Sequence, residues 1–491
     1  MKILFASSEV VPFAKTGGLA DVSGSLPVAL KQFGHDVRVI TPKYKATDAK
    51  TFHLAPVVES MDVPISNRME TCSILEGSLG DAVPVYFIKN DNYYHRDHLY
   101  GDSQGDYPDN AERFIYFSRS ILEACKAMNF APDILHCNDW QTGLAPVYLR
   151  KVYQNEPIFA QTASIYTVHN LGYQGLFWHY DMHLTGLGWD LFTPNGLEYY
   201  GKINLMKGGL LWADLISTVS QKYSEEIQTK EYGHGLEGVL QFRSADLSGI
   251  VNGVDYSIWN PETDPHLVQN YSVKNLSGKL ACKKDLLKEF GLPVNESWPV
   301  LAMISRLDDQ KGFDLVAEII DTLMNMRQNL YFLVLGTGHE RYHKLFSHIA
   351  EKYPKKAGVR LEFNAKLAHK IEAGADMFLM PSRYEPCGLN QIYSLKYGTV
   401  PIVRATGGLN DTVKVFQPRA NKGAGQGTGI KFNAYKAENL LSAIKNGLHA
   451  YKDKNSWKAL MIRGMQEDFS WSASAKEYEK LYKKAYEKVH A

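Results

Sequence analysis

Short apolar runs of strand length, separated by amphipathic helical stretches, recur along almost all of the 491 residues. KILFAS, HDVRVITP, VPVYFIK, PDILHC, SIYTVHN, LISTVS and SGIVNGV form one series. WPVLAMISRL, LYFLVLGTG, VRLEFNA, ADMFLMPS and TVPIVRA form a second. Between them lie helical patterns such as AERFIYFSRSILEACKAM and FDLVAEIIDTLMNMRQ. Strands alternating with helices leave one simple solution, a parallel sheet with right-handed crossovers and helices on both faces. The series meet near residue 255, where Asn252–Leu267 (NGVDYSIWNPETDPHL) is dense in turn-forming residues and loses its period. The expected fold is therefore α/β, with two Rossmann-like doubly wound domains over 1–255 and 256–470. A charged amphipathic helix over 471–491 is expected to pack back on the first domain. QPRANKGAGQGTG, residues 417–429, reads as a surface loop.

The formal net charge is +1, so no global field favours nucleic acid or an anionic membrane, and any anion must be held locally. The five cysteines, Cys72, Cys125, Cys137, Cys282 and Cys387, show no C-x-x-C spacing, which suggests a reducing compartment. MKILFASSEV is too short in its apolar part for a signal segment, and Ser7, Ser8 and Glu9 end the run, so it reads as a buried first strand. No apolar stretch reaches the roughly 18 residues of a membrane span. The expected location is the cytoplasm.

Lys15-Thr16-Gly17-Gly18 precedes an amphipathic helix. Glycines at a helix start let an anion approach the backbone, and the helix amides favour it. The lysine stands before the glycines, unlike a Walker loop, and a third spaced glycine is missing. TGGLADV (Thr16–Val22) is echoed by TGGLNDTV (Thr406–Val413), again after a strand and before a helix. Other motifs fail on context. Gly101-Asp102-Ser103-Gln104-Gly105 matches G-x-S-x-G but has no strand leading in. Gly336-Thr337-Gly338 follows a strand, but Arg341 replaces the third glycine of a dinucleotide fingerprint. No D-x-D pair, H-E-x-x-H motif or zinc-like Cys/His cluster is present, so no metal is expected. The chemistry-bearing residues instead gather just after strands, where open α/β sheets bind ligands. They are Lys15–Asp21, Asp139, His169 with Asn170, Arg306 with Lys311, and Glu385.

Taken together, KTGGLADV, HCNDWQTGLAPVYL, TVHNLGYQG, YGHGLEGVL, IVNGVDYSIWNPETD, SRLDDQKGFDL and SRYEPCGLNQIYSLKYGTVPIVRATGGLNDTV resemble the glycogen and starch synthases of the bacterial and plant type, from Lys2 to about Trp471. The resemblance implies a GT-B arrangement, two Rossmann-like domains facing across a cleft. It implies a retaining transfer of glucose from ADP-glucose to the non-reducing end of an α-1,4-glucan, without metal or other cofactor. It places Lys15, Gly17 and Gly18 against the donor diphosphate, with Asp21 nearby. Arg306 and Lys311 match the groups that neutralise the leaving diphosphate, and His169 matches a histidine contacting the transferred glucose. Glu385, Cys387, Gly388 and Leu389 match the loop holding that sugar. Asp139, Asn170 and Asn252 match polar groups lining the same cleft, and Phe363 falls where the family has an aromatic under the adenine. Three positions depart from the common pattern: Asp308-Asp309, Gln221 where proline is usual, and Asn390 where threonine is common.

The transition state expected is an oxocarbenium ion leaving ADP. Glu385 is the obvious nucleophile, but its motif offers no second carboxylate. Front-face attack by the acceptor hydroxyl is therefore the favoured route, with the leaving phosphate taking the proton. Closure of the two halves is expected to precede chemistry and exclude water. Tyr93 and Tyr94 are candidates for sugar stacking. A same-fold enzyme using UDP-glucose or another acceptor, an inactive glucan-binding paralogue and a glucan phosphorylase are the rival readings. The phosphorylase lacks an evident pyridoxal-lysine context.

Overall fold

The computed structural model describes residues 1–80, 82–417 and 426–491, so most of the 417–429 stretch lies outside the described residues. The chain divides into two compact units, Met1–Gly253 with Trp471–Ala491, and Val254–Ser470.

In the first unit the sheet runs, in space, Leu247–Gly249, Leu215–Thr218, Ala163–Val168, Ile134–Asn138, Lys2–Ala6, Asp36–Pro42, Val83–Lys89, Arg68–Leu79 and Ala55–Ile65. The strands from 247–249 through 83–89 are parallel. Arg68–Leu79 and Ala55–Ile65 add an antiparallel hairpin at the edge. The central strands are apolar on both faces because helices cover both; Ile3, Leu4, Phe5 and Ala6 are all fully buried. Helix Gly18–Gln32 buries Leu19, Val22, Leu26 and Leu30, a spacing that keeps one face on the sheet. The last helix, Trp471–His490, lies on the same unit, with Trp471, Ala475, Tyr478, Leu481, Tyr482 and Ala485 in the core around the first strand. The Tyr482 hydroxyl lies 2.8 Å from His136 Nδ1 on the sheet.

In the second unit the order is Ala357–Arg360, Tyr331–Leu335, Val300–Ile304, Met377–Met380, Val400–Arg404 and Ile430–Phe432, all parallel. Numbered along the chain this is 3-2-1-4-5-6. The parallel part of the first sheet follows the same order with a seventh strand added. In both units the chain leaves strand 1 in one direction and returns to its other side at strand 4. The sheet's ligand-binding crevice belongs at the carboxyl end of that reversal.

Several elements depart from the sequence reading. The edge hairpin and the strand 430–432 were not among the expected strands. Short strands at Leu176–Trp178, Glu198–Tyr199 and Lys202–Asn204 form a small sheet of their own. The expected strand SGIVNGV stops at Gly249; beyond it only the Ile250 N–H keeps a bond to the neighbouring strand, at Thr218 O.

Candidate active site

In the first unit the reversal lies between Lys2–Ala6 and Ile134–Asn138. The loop after Lys2–Ala6 carries Glu9, Lys15, Gly17 and Gly18. Gly17 and Gly18 are exposed, and a Cβ on either would meet nothing within 4 Å, so the backbone is open on that side. The Lys15 ammonium is paired with Asp21 at 2.7 Å, with the lysine side chain half exposed and the aspartate about a third exposed. Such a pair contributes little net energy, so Lys15 is free to exchange partners. The Gly17 N–H donates to the Glu9 carboxylate at 3.0 Å rather than facing outward.

Beyond strand 4 stands Asp139, at φ 53° and ψ −178°. A non-glycine residue in this sparsely populated region is held by its surroundings, a recurrent property of functional positions. Its Oδ1 accepts the His169 N–H at 2.7 Å. Burial pushes the Asp139 carboxyl up to about 7, even though backbone N–H groups of His169 and Asn170 favour its charged form; the charge of Glu9 adds to the rise. Burial likewise pulls the His169 imidazole down to about 3, so it is neutral at physiological pH. The Asn138 amide NH₂ donates to Ala6 O at 3.0 Å, which leaves its oxygen facing His169 Nε2 at 2.9 Å. His169 therefore carries its proton on Nε2, and Nδ1 keeps a lone pair. Asn170 closes a turn by accepting from the Gly172 N–H at 3.0 Å. The Asn252 side-chain oxygen is buried without a hydrogen-bond partner among the described residues. Native proteins seldom leave such an atom unmatched.

In the second unit the reversal lies between Val300–Ile304 and Met377–Met380, and a cavity of about 180 Å³ opens there. Arg306, Lys311, Ser382, Glu385, Gly388, Leu389 and Asn390 line it. Lys311 Nζ is 2.7 Å from Glu385 Oε2, which also accepts from the Ser382 hydroxyl at 3.0 Å. Both members of the ion pair are largely buried, 18% and 8% exposed. The Arg306 guanidinium is 65% exposed, with Asp308 at 3.6 Å. Cys387 is buried and Phe363 stands 90% exposed beyond the strand Ala357–Arg360; neither lines this cavity. Gly388 needs its φ of 69°, and a Cβ there would press on Gln391.

The second glycine pair faces inward. The Gly408 N–H lies 3.1 Å from both Glu385 O and Pro386 O. A Cβ on Gly407 would come within 2.0 Å of Glu385 O, so these glycines let a helix butt against the Glu385 loop from behind.

The three departures have local reasons. Asp309 holds Arg341 and accepts from the Tyr342 hydroxyl at 2.7 Å. Gln221 is the first residue of a short helix, where an N–H has no intrahelical partner anyway, so proline is helpful but dispensable. The Asn390 amide donates to Ile304 O at 2.6 Å, tying the loops of strands 1 and 4 together. Tyr93 and Tyr94 are buried against Tyr44 and Tyr116 and cannot stack on a sugar. Trp178, Tyr180 and Trp189 are among the rings that stand in solvent, each more than half exposed. Trp178 and Tyr180 lie 4.5 Å apart edge to face, in the segment just after His169.

Among the described residues no group of three or more His, Cys, Asp or Glu side chains could hold a metal, and no helix is long and apolar enough to cross a membrane.

Comparison with known proteins places the chain. Residues 2–242 match the family model described as starch synthase catalytic domain, and residues 287–459 match glycosyl transferases group 1. With two units of Rossmann strand order, these matches define a GT-B type glycosyltransferase. Glycogen synthase of Koribacter versatilis is 50% identical over 99% of this chain and 98% of its own length, and glycogen synthase of Syntrophotalea carbinolica is 47% identical over the whole of both. The solved catalytic domain of starch synthase IV from Arabidopsis thaliana, bound to ADP and acarbose, superposes with a TM-score of 0.89 at 31% identity over 99% of each chain. The chain belongs to the glycogen synthase family.

Proposed function

We propose that this chain transfers glucose from ADP-glucose to the non-reducing end of an α-1,4-glucan, with retention and without a metal. The observation that carries the reading is the cavity at the second unit's strand reversal. There a buried carboxylate and two cations face one small space. Leaving-group departure concentrates negative charge on a diphosphate, and prearranged cations stabilise that charge. Arg306 and Lys311 take this role, assisted by the backbone around Gly388 and Leu389. On the first unit Lys15 and the Gly18 amide suit an anion, and on the second Phe363 offers its solvent-exposed ring to the base.

Glu385 already shares its Oε2 with Lys311 and Ser382. Both partners draw on the electron density of that oxygen and lower its nucleophilicity, which supports a sugar-positioning role and front-face attack. Neutral His169 presents its Nδ1 lone pair as a hydroxyl acceptor, and half-buried Asp139 joins it at the glucosyl site. The exposed Trp178, Tyr180 and Trp189 suit an α-glucan acceptor, whose sugar faces stack on aromatic rings.

The deciding assay supplies glycogen with either ADP-glucose or UDP-glucose and follows chain growth and nucleotide release. ADP-glucose is expected to be the better donor, with turnover unchanged by EDTA. Equal or better use of UDP-glucose, or collapse of turnover under chelation, refutes the donor or metal part of the reading. A glucosyl adduct trapped on Glu385 refutes front-face attack.

A further inference from the structure

Glu9 was legible in the sequence only as the polar end of the first strand, yet it is 4% exposed and its carboxylate is saturated. Oε2 accepts the Thr16 N–H at 2.5 Å and the Gly17 N–H at 3.0 Å. Oε1 accepts the Thr16 hydroxyl at 2.5 Å and the Tyr100 hydroxyl at 2.9 Å. The Tyr100 hydroxyl is also 2.8 Å from the Ser8 hydroxyl, and the Ser7 hydroxyl donates to Glu9 O at 2.8 Å, so the acid is fixed at both ends.

An anion supplied by the chain itself thus already sits on the two amides just ahead of helix Gly18–Gln32. It takes up Thr16 and Gly17 and leaves Gly18, exposed and with open space around it, as the outward-facing glycine. We propose that Glu9 is a positioning residue for the donor: it holds the 15–18 loop from beneath so that Lys15 and the Gly18 amide are presented to the diphosphate. This rests on the donor reading given above. A carboxylate bound by four donors and shut away from water does not vacate its place for a ligand, so Glu9 braces the loop rather than competing with the donor. Charge-assisted hydrogen bonds of this kind are short and strong, and losing them frees a glycine-rich loop to wander.

The test measures ADP binding to the full chain by titration calorimetry, together with kcat and the KM values for ADP-glucose and glycogen. Glu9→Ala is expected to raise the ADP-glucose KM and the ADP Kd about tenfold or more, with the glycogen KM unchanged. Glu9→Gln is expected to stay within about threefold of the parent. Its oxygen can take both amides, while the Thr16 and Tyr100 hydroxyls reverse to accept from its NH₂. Should Glu9→Ala fail to fold, Thr16→Val, which removes one donor from an exposed residue, is expected to raise the donor KM several-fold. A purely structural role lowers active protein and kcat but leaves KM in place. An unchanged or lowered donor KM in Glu9→Ala, a Glu9→Gln as impaired as Glu9→Ala, or an unchanged KM in Thr16→Val overturns the brace. Failure of the parent protein to bind ADP sinks the donor reading itself, and the role of Glu9 with it.

Discussion

The Lys311–Glu385 pair allows stability and catalysis to be separated. At an effective dielectric of about 20, unit charges 2.7 Å apart attract by about 6 kcal/mol. Most of that offsets the cost of taking two charges out of water, so the net value of the pair is small. Removing one partner is different, because it strands the other charge in a cavity mouth, at a typical cost of about 3–5 kcal/mol. Glu385→Gln keeps the shape and the Ser382 contact but leaves the Lys311 ammonium unopposed. It is therefore expected to destabilise the second unit by about 3 kcal/mol, and Lys311→Met by a similar amount. The double variant buries neither charge and is expected to recover about 2 kcal/mol relative to the sum of the singles. Activity is expected to behave otherwise. Each single variant loses about 10²-fold or more in kcat, and the double variant recovers none of it, because the groups that act on the donor are still missing. Urea unfolding followed by circular dichroism, with nucleotide release as the activity assay, gives both readouts on the same preparations. Additive stability losses would show that the pair is not coupled as its geometry demands. A double variant that regained activity would show that Lys311 serves only to neutralise Glu385.

Four further outcomes follow from the same geometry. Gly407→Ala drives a Cβ into Glu385 O and is expected to cost at least about 2 kcal/mol and most of the activity, whereas Gly18→Ala meets open space and is expected to fold normally while weakening donor binding; thermal melts and donor KM distinguish them. Arg306→Ala is expected to slow transfer about 10²-fold with little change in melting temperature, since the side chain is mostly exposed. The Asp139 carboxyl, at about 7 in the folded chain and near 3.8 when unfolded, holds its proton more tightly when folded, so the native state loses stability as pH rises from about 4 to about 7. Three units correspond to about 4 kcal/mol at most, and solvent reaching a half-buried group reduces this to about 1–2. Asp139→Asn is therefore expected to be the more stable protein at pH 8, with the gap closing towards pH 4; a pH-independent gap in urea midpoints contradicts it. Trp178→Ala is expected to raise the glycogen KM about fivefold and leave the ADP-glucose KM alone.

What the sequence disclosed and what it concealed follow from burial. The parallel strands are covered on both faces, so LFA, VLAMI and YFLVL read as unbroken apolar runs and were legible. The edge hairpin has one face in water, and Ala55–Ile65 buries only Met61, Val63 and Ile65 in alternation, a weak signal beside the continuous runs. Strands of two or three residues, such as Glu198–Tyr199, carry no period at all. Candidate residues at the ends of parallel strands could be picked out for a topological reason, since the loop after each strand must reach the sheet's carboxyl edge. The partnerships among them were not. Lys311 and Glu385 are 74 residues apart, and only the closing of strand 4 against strand 1 brings them to 2.7 Å. The reach of Glu9 to Gly17 depends on how the loop after the first strand folds back, which no spacing rule conveys.

The two TGG motifs show why topology, not echo, assigns the roles. The first follows strand 1 of its sheet and leaves Gly18 open to the outside; the second follows strand 5 of its sheet, and its Gly408 amide serves the Glu385 loop. The counterpart of the 15–18 loop in the second unit is the segment after that unit's strand 1, which carries Arg306 and Lys311 and no glycine pair before its helix. The common element is a buried carboxylate that ties down the loop after strand 1: Glu9 under Thr16 and Gly17, Glu385 against Lys311. A folded chain cannot carry an unopposed buried cation or a row of unmet helix amides without losing several kcal/mol of its small net stability. Each carboxylate gives its loop a partner within the protein, and Gly18 is left on the open side.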